Sequence, residues 1–160
     1  MTLKLKNKKI GIKEFIHLIV SILSLNLAFG QNPEESKFKK QNIGGGAEWN
    51  YSEAVKISDF SELLFISGQV PITNQGKVPS NIKDQCTVAW SNVEAQLKEA
   101  DMTLDNLVKV TFFVSDRKYL REVGQLREQN LLNIKPALTI VITGIYNENW
   151  LLEIEAIAAK

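Results

Sequence analysis

Apolar and polar residues begin to alternate near Tyr51, and the pattern continues almost to the last residue of the chain. Ala54-Val55-Lys56-Ile57 predicts a first strand, Asp59-Phe60-Ser61-Glu62 a turn, and Leu63 to Val70 a second, largely buried strand that Pro71 ends. Thr73-Asn74-Gln75-Gly76 has turn chemistry. After Ser80 or Asn81, either of which can cap a helix, Ile82, Cys86, Ala89, Trp90, Val93 and Leu97 form an apolar stripe at helical spacing, so a helix is expected to about Ala100. Val108 to Val114 reads as a third strand. Tyr119, Leu120, Val123, Leu126 and Asn130-Leu131 trace one face of a second helix. Two closing strands are expected, Ala137 to Tyr146 and Trp150 to Ala159, with Asn147-Glu148-Asn149 as a short hairpin loop between them.

The order is ββαβαββ, an α+β domain with two helices on one face of a mixed sheet. The other face is apolar as well. In the strand from Ala137, Leu138/Ile140/Ile142 alternate with Ala137/Thr139/Val141, and neither set is strongly polar. Two helices cover one face only, so the second face is expected to meet another copy of the chain.

The start of the chain is different in kind. Lys4, Lys6, Lys8, Lys9 and Lys13 precede a mostly apolar run from Phe15 to Leu27, and Ala28-Phe29-Gly30 offers small residues at the positions a signal peptidase reads. The apolar run has 13 residues, short of the roughly 20 that span a bilayer. Residues 1–30 are therefore expected to be a cleaved signal peptide, giving a periplasmic or secreted protein with no membrane attachment once the leader is gone. No Cys follows the cleavage position to carry a lipid. Residues 31–47, polar and ending in Gly44-Gly45-Gly46, read as a flexible lead-in to a domain over 48–160.

Loss of the leader would remove His17, the single histidine of the chain, and with it Ser-His-Asp or Cys-His catalysis and any histidine-ligated metal site. The whole chain has a formal net charge of +1; without the leader's five lysines and one glutamate, 14 basic and 17 acidic residues remain, a net of −3. No basic run argues for nucleic acid, and no cofactor or metal is expected. Cys86 stands alone on a helix face and reads as packing rather than as a reactive thiol.

Several segments, in order, resemble the RidA (YjgF) family of reactive imine and enamine deaminases. They are Tyr51-Ser52-Glu53-Ala54-Val55, Ser67-Gly68-Gln69-Val70-Pro71, Gln85 to Val93, Ala100 to Thr111 leading to Phe113-Val114-Ser115-Asp116, and Lys135-Pro136-Ala137-Leu138-Thr139-Ile140-Val141. The closing Glu153-Ile154-Glu155-Ala156-Ile157-Ala158 is the most specific. The resemblance implies a chorismate-mutase-like, YjgF-type fold, a homotrimer, and small-molecule clefts between subunits. It also implies roles for individual residues. Tyr51 lines the pocket, Ser67 and Gly68 form the wall beside it, and Thr139 and Ile140 belong to the binding strand, Ile140 through its backbone. Glu153 holds the attacking water as the catalytic group. Leu138 stands where deaminating members carry the arginine that clamps a substrate carboxylate, and Gly124 lies near the place of the family's asparagine.

Imine hydrolysis needs a water held against the carbon and dipoles facing the developing charge, so Glu153 could serve without histidine or metal. Glu153 and Glu155 alternate onto one face, which is also what ordinary solvated strand charges do. A buried bidentate arginine–carboxylate contact contributes on the order of 2–4 kcal/mol; with leucine in its place the expected substrate carries no carboxylate. The resulting reading is an exported deaminase of reactive enamine or imine intermediates. The alternative is a non-catalytic, small-molecule-binding or chaperone-like trimer. A ribonuclease, the third possibility, lacks histidine, a basic surface and clustered metal-binding carboxylates.

Overall fold

The computed structural model describes residues 38–45 and 50–160. The expected signal peptide and its cleavage position lie outside these residues. Among these residues, six strands and two α-helices follow one another, besides two short 3-10 turns: β1 (Lys39–Ile43), β2 (Ala54–Ser58), β3 (Leu63–Gln69), α1 (Ile82–Glu99), β4 (Leu107–Val114), α2 (Leu120–Leu131), β5 (Ala137–Ile142) and β6 (Leu152–Ala159). The architecture is α+β, with two helices against a four-stranded mixed sheet of order β3-β6-β4-β5. Strand β4 runs parallel to β5 and antiparallel to β6.

Helix α1 begins where the sequence places it. The Asn81 side chain accepts from the Asp84 amide at 2.9 Å and donates to the Asp84 carboxylate at 2.8 Å, satisfying an N–H that the first turn leaves open. Cys86, Ala89, Trp90, Val93 and Leu97 are buried, and the Trp90 ring stacks nearly parallel on Phe112 of β4, with centroids 6.5 Å apart. Val110, Phe112 and Val114 point with them into the core, as do Leu152, Ile154, Ala156 and Ala158 of β6. Gln85 is the buried exception on the stripe. Its amide donates to the Pro79 and Asn149 carbonyls and its oxygen accepts from the Leu151 amide, so no polar atom of its side chain is stranded.

Two expectations need correction. Residues 39–43, read as part of a flexible lead-in, form β1, paired antiparallel with β2. Lys40 secures it: its Nζ donates to the carbonyls of Leu107 at 2.7 Å, Ile134 at 3.2 Å and Asp105 at 3.4 Å. A polar, lysine-rich strand carries no hydrophobic signal, because backbone pairing and one ammonium hold it in place. The closing strands do not form a hairpin either. β5 and β6 lie on opposite sides of β4, because α2 returns the chain as a crossover that sets β5 parallel to β4. The loop 143–151 therefore spans the width of a strand instead of making a tight turn.

Candidate functional site

Register and alternation decide which of the expected site residues can meet. Val110, Phe112 and Val114 pair with Leu138, Ile140 and Ile142, and all six pack toward the core beneath the helices. Thr111 and Phe113 pair with Glu155 and Glu153 on β6, and with Thr139 and Val141 on β5. Glu153 and Thr139 thus share the face that the helices leave uncovered, while Leu138 and Ile140 lie on the opposite one.

On the uncovered face, β3 is irregular where it passes Glu153. Ile66 pairs with Ala156 but Gln69 pairs with Ile154, so one extra residue is accommodated between them. Ser67 and Gly68 occupy that bulge. The Glu153 carboxylate lies directly over the Gly68 α-carbon: a Cβ added to Gly68 would fall on Oε1, 2.5 Å from Cδ and 2.9 Å from Cγ. Only glycine leaves room for the carboxylate there. Exposed hydrophobic side chains lie on the same strand, Phe65 at 71% and Leu63 at 43% of full exposure. Ser67 is exposed beside them.

The second group of site residues gathers at the head of β5. Ser52 is 1% exposed. Its amide donates to the Pro136 carbonyl at 3.0 Å and its hydroxyl to the Lys135 carbonyl at 2.7 Å. It also bridges to Ala137. These contacts hold Tyr51 at the start of the strand that carries Leu138, Thr139 and Ile140. The sequence reading did not single out the neighbour of Tyr51. The Arg127 guanidinium carbon of α2 lies 5.8 Å from the ring centroid, its Nε is buried with no hydrogen-bond partner, and burial lowers its pKa below the usual arginine value. A signal for it exists. Arg127 is four residues from Val123 and from Leu131, both 0% exposed, so a cation sits on the buried stripe of an amphipathic helix. Gly124, by contrast, has open space around it.

One chain therefore holds two half-sites. Gly68 and Glu153 lie on β3 and β6. Leu138 and Ile140 lie on β5, two strands from β6, on the order of 10 Å, and on the other face of the sheet. Tyr51 and Arg127 stand at the head of β5. Cys86 belongs to neither group. It is buried between the helices, and desolvation, with a smaller contribution from Glu122, pushes its thiol up to about 12. Such a thiol is packing, not a nucleophile.

Comparison with known proteins gives a consistent match. The family model described as Endoribonuclease L-PSP matches residues 45–160. A RutC family protein of Aquifex aeolicus is 36% identical over 113 residues, covering 69% of this chain and 88% of that protein. TdcF of Escherichia coli, named for a proposed reactive intermediate deaminase activity, is 27% identical over 106 residues, covering 64% of this chain and 82% of TdcF. Its crystal structure with bound serine superposes with a TM-score of 0.59 over 69% of this chain and 87% of that one, at 26% identity. Yeast Mmf1 gives the same TM-score of 0.59 at 28% identity, over 76% of this chain and 99% of that one.

Proposed function

Since the chain belongs to the Endoribonuclease L-PSP (RidA/YjgF) family, we propose that it is a hydrolytic deaminase of reactive enamine or imine intermediates, working in clefts completed by a second copy of itself. The observation that carries this reading is the seating of Glu153 over Gly68. The bulge and the missing side chain at Gly68 leave one carboxylate held in a fixed place on an open sheet face. There it can orient a water toward an imine carbon. Water adds to C=N, a proton moves to nitrogen, and the C–N bond breaks to leave a carbonyl compound and ammonia or an amine.

The two half-sites support assembly. Leu138 and Ile140 lie on the opposite face of the sheet from Glu153 of their own chain, and exposed Phe65 and Leu63 beside the Glu153 half are apolar surface suited to burial. We read the assembly as a homotrimer with a small-molecule cleft at each interface. Leu138 makes the β5 side of the cleft apolar, so a substrate presents a neutral group there, and an imino acid is not clamped from that strand. Leu138 also favours the second reading, a trimer that binds small molecules without turning them over. Endoribonuclease chemistry has less support, because the chain beyond His17 has no histidine and a net charge of −3 from residue 31 on. The lysine-rich start and Ala28-Phe29-Gly30 motivate export, with the clefts working in the periplasm or outside the cell; intact mass of the protein from its native compartment, expected to begin at Gln31, tests this.

Turnover decides between the two readings. The wild type is expected to hydrolyse an imine generated in situ, tried both as 2-iminopropanoate and as its neutral carboxamide. Glu153→Gln should lower kcat on the order of 100-fold or more with little change in KM, since it disturbs the water and not the binding walls. Measurable binding with no turnover in the wild type would favour the binding protein.

A further inference from the structure

Arg127 is the buried-side cation that the fold of the described residues does not account for. It lies on the buried stripe of α2 between Val123 and Leu131, joins no salt bridge among the described residues, and leaves Nε buried and unpaired. A guanidinium stays charged at any physiological pH, so partial burial with no carboxylate in contact, Glu128 acting only from further off, carries a desolvation cost that outweighs the nearby charges. The Tyr51 ring, its centroid 5.8 Å from the guanidinium carbon, recovers a fraction of it through its face. Among the described residues nothing accepts from Nε, and the planar edge that Nε forms with its neighbouring nitrogen matches the two oxygens of a carboxylate.

We propose that Arg127 supplies the anion contact of this site, receiving a small carboxylate on its Nε edge while the carbon skeleton lies along Tyr51 toward Leu138. The inference rests on the reading of Tyr51 as a wall of the ligand cleft. It moves the cation from strand to helix: leucine occupies position 138, and the positive charge comes from α2 on the other side of Tyr51. The bound molecule therefore lies with its carboxylate turned toward α2 and its neutral end toward β5. Ser52 fixes the arrangement, because its three contacts to residues 135–137 hold Tyr51 between the helix and the strand head. The ligand class is a short 2-oxo- or 2-imino carboxylate. Phosphate suits the site less, because one planar edge offers two parallel donors and not a tetrahedral cradle.

The test is equilibrium binding to the intact protein with three probes: pyruvate, its amide, and inorganic phosphate, followed by protein NMR shifts or calorimetry. Pyruvate is expected to bind the wild type and to weaken on the order of 10- to 100-fold in Arg127→Met, with the amide binding both proteins alike. Arg127→Lys keeps the charge but not the fork, so it should recover only part of the pyruvate affinity, and it serves as the reporter if the methionine variant does not fold. Equal pyruvate affinity in wild type and both variants would overturn the assignment, as would phosphate binding as tightly as pyruvate, or no pyruvate binding at all. Glu153→Gln separates this inference from the deaminase reading: it should bind pyruvate like the wild type while losing turnover. Loss of turnover alone bears on the reaction, and loss of pyruvate binding in the Arg127 variants alone bears on the anion site.

Discussion

The carboxylate of Glu153 occupies the space that a side chain at Gly68 would need, so the two positions on neighbouring strands are coupled by volume. A Cβ at 68 would overlap Oε1, and Cγ stands 2.9 Å away. The carboxylate is the far end of a flexible side chain, so it can swing aside while the strands stay paired. Glycine at 68 therefore keeps Glu153 in place and is not needed to keep the sheet together.

This coupling predicts that Gly68→Ala folds and loses function. The cost in stability should be about 1 kcal/mol or less, the ordinary size for a single substitution. Imine hydrolysis should fall on the order of 100-fold, the penalty for misplacing a catalytic group by about 1 Å. Thermal denaturation and turnover measured on one preparation provide the check. Unchanged turnover with a displaced carboxylate would reduce Glu153 to a solvated strand charge.

The uncovered sheet face predicts the response of the assembly. Phe65 is 71% exposed in the single chain, so Phe65→Glu removes no contact of the monomer and should leave its circular dichroism unchanged. In a trimer that buries this face, each copy would bring an unpaired carboxylate into an apolar interface, at a cost of several kcal/mol. Light scattering at micromolar concentration should show a trimer for the wild type and a monomer for the variant. A wild-type monomer would contradict both the trimer and the shared cleft.

Cys86 predicts an alkaline limit to stability. Its thiol is raised from 9.0 to about 12 in the folded protein, chiefly by burial, so between these values the folded state holds a proton that the unfolded state gives up. The group's contribution is complete below about pH 9 and declines as pH rises toward 12. Urea midpoints measured over that range should fall more steeply for the wild type than for Cys86→Ala. At pH 8 a thiol reagent should label Cys86 only as fast as the chain opens. Rapid labelling of the folded protein would show that the helices do not bury it.

Much of the architecture is determined by the sequence alone, because it depends on local periodicity. The stripe from Ile82 to Leu97, the Asn81 cap and the dense apolar run of β4 fix helix, cap and strand whatever surrounds them. So does the ordered set of segments from Tyr51 to Ala158 that marks the family. The sequence also contains the two most telling single residues, Leu138 where arginine is expected and Gly68 beside Ser67. Other features follow from pairings between distant segments, which no local pattern encodes. β1 is a strand because Lys40 reaches three carbonyls between 65 and 94 residues away. β5 and β6 flank β4 because a parallel crossover, not a turn, joins β4 to β5. Glu153 and Leu138 fall on opposite faces because the register of three strands sets their phase. Arg127 acquires meaning only when Ser52 ties Tyr51 to the head of β5 and places an aromatic ring against a helix whose sequence, read alone, shows one charge too many on its buried side.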